Sequence, residues 1–498
     1  MKRPVGDAMA LLPIIPYPCD QVQPDRVQLE HLEHLAGKLL TEEPQLKPRQ
    51  AFLPLVPTYL DDAPTLHLDD LSEIVIPKTF WDPIYLQDRA RLRAQERDFV
   101  VSCAPPDAAF ERYCERHLGL GAVTWFHPQT RNRATHTAAA CWIDRQVRHD
   151  LVRAMRTTGL RYLHPHMGNF AVWATASLLH QASRRPLKII APPPVLTERV
   201  NDKIWFNRVV TRLFGDDFVP QTVAVYNLAT LTHVVRRLAQ TSRTLVIKLP
   251  NSAGGAGNLL LDAELYREYS LKKTKEMLRE LLGNLGWQRL LVSSWEESVL
   301  RTPSIQLWIP PIAQAPPVIE GLFEQLIEGP EGIFVGFSPC ELPDQLAETL
   351  LLHCWLLARL FQFLGYIGRC SFDMILVGSS LEDCRLKFIE SNGRWGGTSL
   401  PMTLMNRLFG HWSKRPFTTR EYTLRGLERF SFDELLMHFS RELFDARRGH
   451  GDLILYSPGA LKTRSGIDAI ILGETWPHAE QRARSIVQQK LDRLAAYG

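Results

Sequence analysis

The sequence predicts an α/β chain of about three units. Its 498 residues exceed what one core ordinarily supports, at roughly 150 residues per domain. The first 200 residues alternate helix-period patterns with short β-rich pieces, and residues 244–249 (TLVIKL) run into a glycine-rich loop. Hydrophobic residues at 45% and charged residues at 22% lie near globular averages, which argues against a fibrous repeat or long disorder.

Residues 25–40 carry a helical pattern, while 98–102 (DFVVS) and 187–190 (LKII) read as strands, giving an open α/β layer. Pro192, Pro193 and Pro194 remove backbone donors and force extended chain, so a first domain is expected over 1–195. Residues 201–214 follow as a helix, with Asn201 or Asp202 at the N-cap and Gly215 just past the end. Strands are expected at 244–249, 289–292, 304–309, 371–377 and 385–390, with one long helix over 342–364, and these fill a second unit over 196–444. A small α/β unit over 445–498 closes the chain: strands 453–455 and 467–472, then a helix of alternating charge over 478–495. No internal repeat or low-complexity tract is visible.

Composition excludes several function classes. Lys and Arg number 58 against 54 Asp and Glu, and a formal charge of +4 is too weak for a nucleic-acid footprint. The eight cysteines include no C-x-x-C pair, so neither zinc spacing nor a disulfide framework is visible, and a reducing cytoplasm is the expected location. Pro13, Pro16 and Pro18 interrupt the apolar stretch after Lys2 and Arg3, which makes a poor signal peptide. The apolar run 350–364 contains His353, Arg359 and Gln362 and falls short of the ~20 residues a span needs, so it reads as a buried helix and no membrane partner is expected.

The chemistry is expected at two places. Residues 248–257 (KLPNSAGGAG) put Lys248 at a strand end, followed by a loop with Ser252, Gly254, Gly255 and Gly257. Glycines let backbone N–H groups approach an anion without a Cβ clash, and the lysine adds a point charge. The loop matches neither G-x-x-x-x-G-K-[ST] nor G-x-G-x-x-G, and a plain surface turn is the competing reading. Further on, Asp373 lies on one strand, and Glu390 and Asn392, two apart on the next, share a face. Two carboxylates and an amide suit Mg²⁺, which prefers hard oxygen donors. A solvated strand edge is the alternative, but both acids adjoin apolar runs, and buried carboxylates need a partner. Arg394 lies on the same side, placed to meet a phosphoryl oxygen or an oxyanion.

With these residues in order, the sequence resembles the ATP-grasp superfamily, and within it the pre-ATP-grasp peptide ligases of natural-product biosynthesis, the pheganomycin-type carboxylate–amine ligases. The resemblance covers residues 190–440 and rests on residues 201–203 (NDK), Lys248 before the glycine loop, the hinge at 292–309, residues 365–368 (GYIG) before Asp373, and 388–399 (FIESNGRWGGTS). It implies an ATP-grasp fold behind an N-terminal pre-ATP-grasp α/β domain, with a small C-terminal lid unit in which 456–462 (YSPGALK) covers substrate or forms an ordinary hairpin. It implies ATP and Mg²⁺ as cofactors. Lys203, Lys248, Ser252, Gly254, Gly255, Gly257, Ser294 and Glu296 would contact the nucleotide, and Asp373, Glu390 and Asn392 the metal. Lys248 and Arg394 would carry catalysis. The implied activity is ligation of a small-molecule or peptide carboxylate to an amine through an acyl phosphate, with ADP and phosphate released, in a chain able to pair as a homodimer. A kinase or carboxylase of the same fold, or a nucleotide-binding regulatory protein without turnover, are the alternatives.

Three positions differ from the family pattern. The hinge reads SSWEE over 293–297 instead of opening with Glu, Ser304 stands near a usually acidic ribose position, and Arg369 lies four residues before Asp373 where some relatives carry an Arg two before. His164 and His166, flanking Pro165 in the first unit, could face the cleft, but read as structural or solvated and are left out of the site. Glu324 and Gln325 read either as acceptor-site lining or as a surface turn.

Overall fold

The computed structural model describes residues 22, 24–73, 83–129, 136–249, 258–283, 289–329 and 332–497. Ser252, Gly254, Gly255 and Gly257 lie outside the described residues. Three sheets organise the chain. The first joins β1 (Thr65–Leu68), β2 (Phe99–Val101), β3 (Thr124–Phe126), β4 (Tyr162–Pro165) and β5 (Lys188–Ile189) in the order β3-β2-β1-β4-β5, every pair parallel. Parallel sheets bury both faces, and β1 and β4 are buried at every position, with Leu66, Val101 and Leu163 packed against Trp173 of the helix Phe170–Ser183. The strand order reverses at β1, so a crevice opens beyond the carboxyl ends of β1 and β4.

The second sheet is antiparallel and built from β6 (Thr222–Val225), β7 (Thr244–Lys248), β8 (Leu259–Asp262) and β9 (Leu290–Ser294), in the order β6-β9-β7-β8. The helices Leu228–Leu238 and Leu271–Leu282 cover one face through Leu231, Val235, Leu278 and Leu282. β7 alternates as its sequence requires, Leu245 and Ile247 turning into this core while Lys248 ends the strand at the edge of the cleft.

The third and largest sheet contains β10 (Val299–Arg301), β11 (Pro303–Ile309), β12 (Val318–Glu328), β13 (Ile333–Pro339), β14 (Gly368–Gly378), β15 (Cys384–Asn392), β16 (Phe417–Thr423), β17 (Leu453–Tyr456) and β18 (Gly466–Leu472). β14 is central to the chemistry, because β10, β11 and β15 all pair with it antiparallel. The helix Asp344–Phe363 packs against the sheet through Leu350, Leu357 and Phe361, which agrees with a buried helix at 342–364; it is the one described helix long and apolar enough to cross a membrane. The helix Lys203–Phe214 starts at Asp202, whose carboxylate accepts from Ile204 N at 2.8 Å, and ends at Gly215, where φ is 105°.

Two features of the expected organisation change. Residues 445–498, expected as a separate small unit, supply β17 and β18, and β18 pairs along its length with β16, so the large sheet runs on into the tail. Strand pairing between segments distant in sequence leaves no local signal. The helix expected over 478–495 is Trp476–Arg482 and Gln488–Tyr497, joined by a π-helical turn at Ala483–Val487.

Candidate active site

The site forms where β14 and β15 run side by side. Their register sets Asp373 opposite Glu390 and Ser371 opposite Asn392, so Asp373, Glu390 and Asn392 meet on one face, as their spacing predicts. Asn392 Nδ2 donates to Asp373 Oδ2 at 2.9 Å, and Ser304 Oγ of β11 donates to Asp373 Oδ1 at 2.6 Å. Burial and the facing charge of Glu390 push the Asp373 carboxyl up to about 7. Burial alone would raise Glu390 too, but the charges of Lys203, Arg394 and Lys248 outweigh it and hold that carboxyl below its ordinary range. Two carboxylates forced together in this way are the electrostatic setting that a divalent cation relieves. The donors are hard oxygens, two carboxylates and an amide, and they fit magnesium. Among the described residues no group of three His, Cys, Asp or Glu side chains gathers as a metal centre, so water and phosphate oxygens would have to complete the coordination.

Two ammonium groups face this pair. Lys203, the first residue of its helix, reaches Glu390 Oε2 at 2.7 Å. Lys248 comes from the opposite wall, its Nζ 5.8 Å from the centre of the Trp295 ring. Burial, then the charge of Lys203, bring the Lys248 ammonium down to about 8. The helix carrying Lys203 is fixed to the second sheet by the ion pair of its N-cap Asp202 with Arg289.

Beyond the acids the backbone turns through Gly393, where an added Cβ would lie 2.9 Å from Val200 Cγ1 and 3.0 Å from Asn201 Nδ2. This close approach lets Asn201 Oδ1 accept from Gly393 N at 3.1 Å and from Arg394 Nη1. Arg394 therefore has a fixed direction, and among the described residues it makes no ion pair.

The hinge is engaged differently from a bare adenine cradle. Trp295 N donates to Thr244 O at 3.0 Å, so this amide is committed to the sheet. Ser294 Oγ accepts from Ser242 Oγ at 2.8 Å, and Glu296 ion-pairs with Lys387 of β15, a clasp between the two walls. Glu324, read as acceptor lining or a turn, instead lies within β12 and accepts from Thr302 N at 2.8 Å.

A layer the sequence did not disclose lies on the other side of Arg394. Arg369 of β14 and Glu320 of β12 form an ion pair with side chains only 2% and 0% exposed. The Arg369 guanidinium lies 4.8 Å from the Trp395 ring centre and 5.4 Å from that of Trp308. Trp395 Nε1 donates to His164 Nε2 at 3.2 Å, so His164 is neutral with its proton on Nδ1. Burial, with Arg93, His67 and Arg369 nearby, drives its pKa far down. Behind it Arg93 pairs with Asp69, and His67 holds Asp98 at 3.0 Å. The reading of His164 as structural agrees with this position. A buried ion pair that loses one partner leaves an uncompensated charge, so Glu320→Gln is expected to cost about 3–5 kcal/mol of unfolding free energy in chemical denaturation. A loss under about 1 kcal/mol would contradict the pairing.

Residues 87–181 match the family model of the pre-ATP-grasp domain. A solved structure of N5-carboxyaminoimidazole ribonucleotide synthetase in its ADP complex superposes with a TM-score of 0.52 at 10% identity, over 88% of this chain and 98% of the other. The chain has the ATP-grasp fold. The Staphylococcus aureus N5-carboxyaminoimidazole synthetase with ADP gives 0.51 at 10% identity, over 86% of this chain and 98% of that one. The biotin carboxylase domain of the Hydrogenobacter thermophilus 2-oxoglutarate carboxylase, with MgADP and bicarbonate, gives 0.50 at 13%, over 86% and 90%. No curated protein sequence matches the chain. In this ATP-grasp fold a cleft opens between the end of the parallel sheet, at residues 164–167 and 190–192, and the large sheet with the turn after it, at Arg369 and residues 393–395.

Proposed function

We propose that this ATP-grasp chain is an ATP- and magnesium-dependent ligase that activates a carboxylate as an acyl phosphate and joins it to an amine. One observation carries the reading: Asp373, Glu390 and Asn392 gather on one face of the β14–β15 pair, and the charges of Lys203 and Lys248 both act on Glu390. Several of the solved structures that share the fold are complexes with ADP, one of them with MgADP, which supports nucleotide and magnesium here.

Asp373, Glu390 and Asn392 would hold magnesium, which when bound neutralises the charge on the phosphate oxygens. Lys203 and Lys248 grip the phosphates, joined by residues 250–257, where Ser252, Gly254, Gly255 and Gly257 complete the proposed phosphate set; Ser294 and Glu296 stand at the hinge by the nucleoside. Arg394 directs the substrate carboxylate toward the γ-phosphorus. An oxygen of that carboxylate forms a bond to phosphorus as the bond to ADP breaks, giving the acyl phosphate. The amine nitrogen then bonds to the acyl carbon, the carbon–oxygen bond to phosphate breaks, and the phosphate leaves with the proton that nitrogen loses. Positioning and fixed charge supply the acceleration. A second reading, carboxylation with bicarbonate in place of an organic acid, is favoured by the carboxylase structure of the same fold that holds MgADP and bicarbonate.

Incubating the protein with ATP, magnesium and pooled amino acids or peptides is expected to release ADP and phosphate and yield an amide by mass spectrometry. A product carrying added carboxyl from bicarbonate would decide for the second reading, and no ADP with any carboxylate would end both. The site also predicts a pH effect. Lys248 is charged below about 8 and neutral above it, a phosphate favours the charged form, so binding above that pH must take up a proton. The dissociation constant of Mg²⁺·AMP-PNP is expected to weaken roughly tenfold from pH 7 to pH 9, the consequence of one protonation. Lys248→Arg, always charged, should flatten the curve; a flat wild-type curve would remove Lys248 from the phosphate site.

A further inference from the structure

The crevice beyond β1 and β4 opens directly onto Arg394. Residues 164–169 (HPHMGN) leave the end of β4 and are stitched across it: His166 N donates to Leu68 O of β1 at 3.0 Å, and His166 O accepts from Trp395 N at 3.0 Å. Gly168 presses against Pro192, where a Cβ would come 2.2 Å from the carbonyl oxygen, and Asn169 caps the helix Phe170–Ser183 through Val172 N at 2.9 Å. The loop is therefore rigid, and it presents the His166 ring to a cleft shared with Arg394, Met167, Ile367 and Trp395. Among the described residues the ring of His166 makes no hydrogen bond, unlike that of His164.

Arg369 is matched by Glu320 and Arg93 by Asp69, while Arg394 feels the carboxylates of Glu390 and Asp373. An ammonium has no lone pair, so a nitrogen nucleophile must react as the neutral amine. A neutral amine needs an acceptor to aim one N–H away from the acyl carbon and its lone pair toward it. The imidazole of His166 is such an acceptor: burial and the charges of Arg394, Arg93 and Arg89 keep it unprotonated.

Resting on the ligase reading above, we propose that His166 of the pre-ATP-grasp domain is the amine-binding residue of the acceptor subsite, holding a neutral amine across the cleft from Arg394. Carboxylate activation occurs on the Arg394 side and amine capture on the His166 side, so the two half-reactions are separable. In the amide-forming step the C–N bond forms, the C–O bond to phosphate breaks, and phosphate carries off the proton. His166 supplies orientation.

The test compares wild type, His166→Ala and His166→Gln in two assays with ATP and magnesium: acyl phosphate trapped by excess hydroxylamine as hydroxamate, and amide formed from pooled amino acids. The expected result is that His166→Ala loses amide formation about 100-fold, the scale of a misplaced reactant, through a raised KM for the amine. Hydroxamate should fall far less, because excess hydroxylamine is small and needs no aiming. His166→Gln, which keeps an acceptor oxygen, should recover part of the loss and serves in its place if the Ala variant does not fold. Equal loss of amide and hydroxamate in a folded variant, or no loss of either, would overturn the assignment. Wild type that forms no hydroxamate would instead bring down the ligase reading, and this proposal with it.

Discussion

Glu390→Gln is expected to lower turnover about 10³-fold while nucleotide binding changes less than tenfold, on the scale of losing one preorganised charge at a reacting centre. Glu390 faces Asp373 across the β14–β15 ladder and also holds Lys203 at 2.7 Å. The substitution keeps shape and one oxygen, and removes the charge that Lys203 answers to and that the proposed magnesium would answer to. Lys203 is then freed for phosphate, which is why affinity for the nucleotide survives. The magnesium concentration for half-maximal activity should rise, by roughly 10- to 100-fold if the loss matches other changes around metal ligands. ADP release across a magnesium titration, with AMP-PNP binding by calorimetry, separates the two effects. Activity equal to wild type at limiting magnesium would remove Glu390 from the metal site.

Arg394→Ala is expected to reduce kcat about 10²- to 10³-fold, with little change in KM for ATP. The guanidinium is aimed by Asn201, which reaches it only because Gly393 lets the backbone come close to Val200. Its guanidinium lines the cleft with His166 and Trp395, on the side where the proposed reading puts the carboxylate, while also feeling the charges of Glu390 and Asp373. Arg394→Lys should recover little, since a single ammonium cannot reproduce a planar fork held by a side-chain amide. A KM for ATP that rises while kcat stays constant would move Arg394 to the nucleotide.

The catalytic strands were legible because their chemistry is written in period two. Glu390 and Asn392 stand two apart at the end of a strand-like run, and Asp373 opens the apolar run 374–377 (MILV), so the spacing alone placed three oxygens on one face, and the register of β14 and β15 agrees. The cap at Asp202 and the stop at Gly215 were equally local, two bonds to one side chain and one glycine at positive φ. What stayed hidden depends on distant pairing. Glu320 and Arg369 are 49 positions apart and meet only because β12 and β14 both flank β11. The continuity of β16 with β18 is hidden for the same reason. His166 was set aside with His164 as structural or solvated. Its one local signal was a glycine two residues on, before an Asn able to cap a helix, the mark of a strand end turned sharply at the edge of a parallel sheet.

The claim of acyl-phosphate chemistry is tested most directly by oxygen transfer. A carboxylate that stimulates ADP release is prepared with ¹⁸O in both carboxyl oxygens and turned over with unlabelled ATP and an amine. The released phosphate is then weighed by mass spectrometry. The account predicts one ¹⁸O atom in each phosphate, because the oxygen that attacks phosphorus departs with it. Unlabelled phosphate released in step with amide would contradict it.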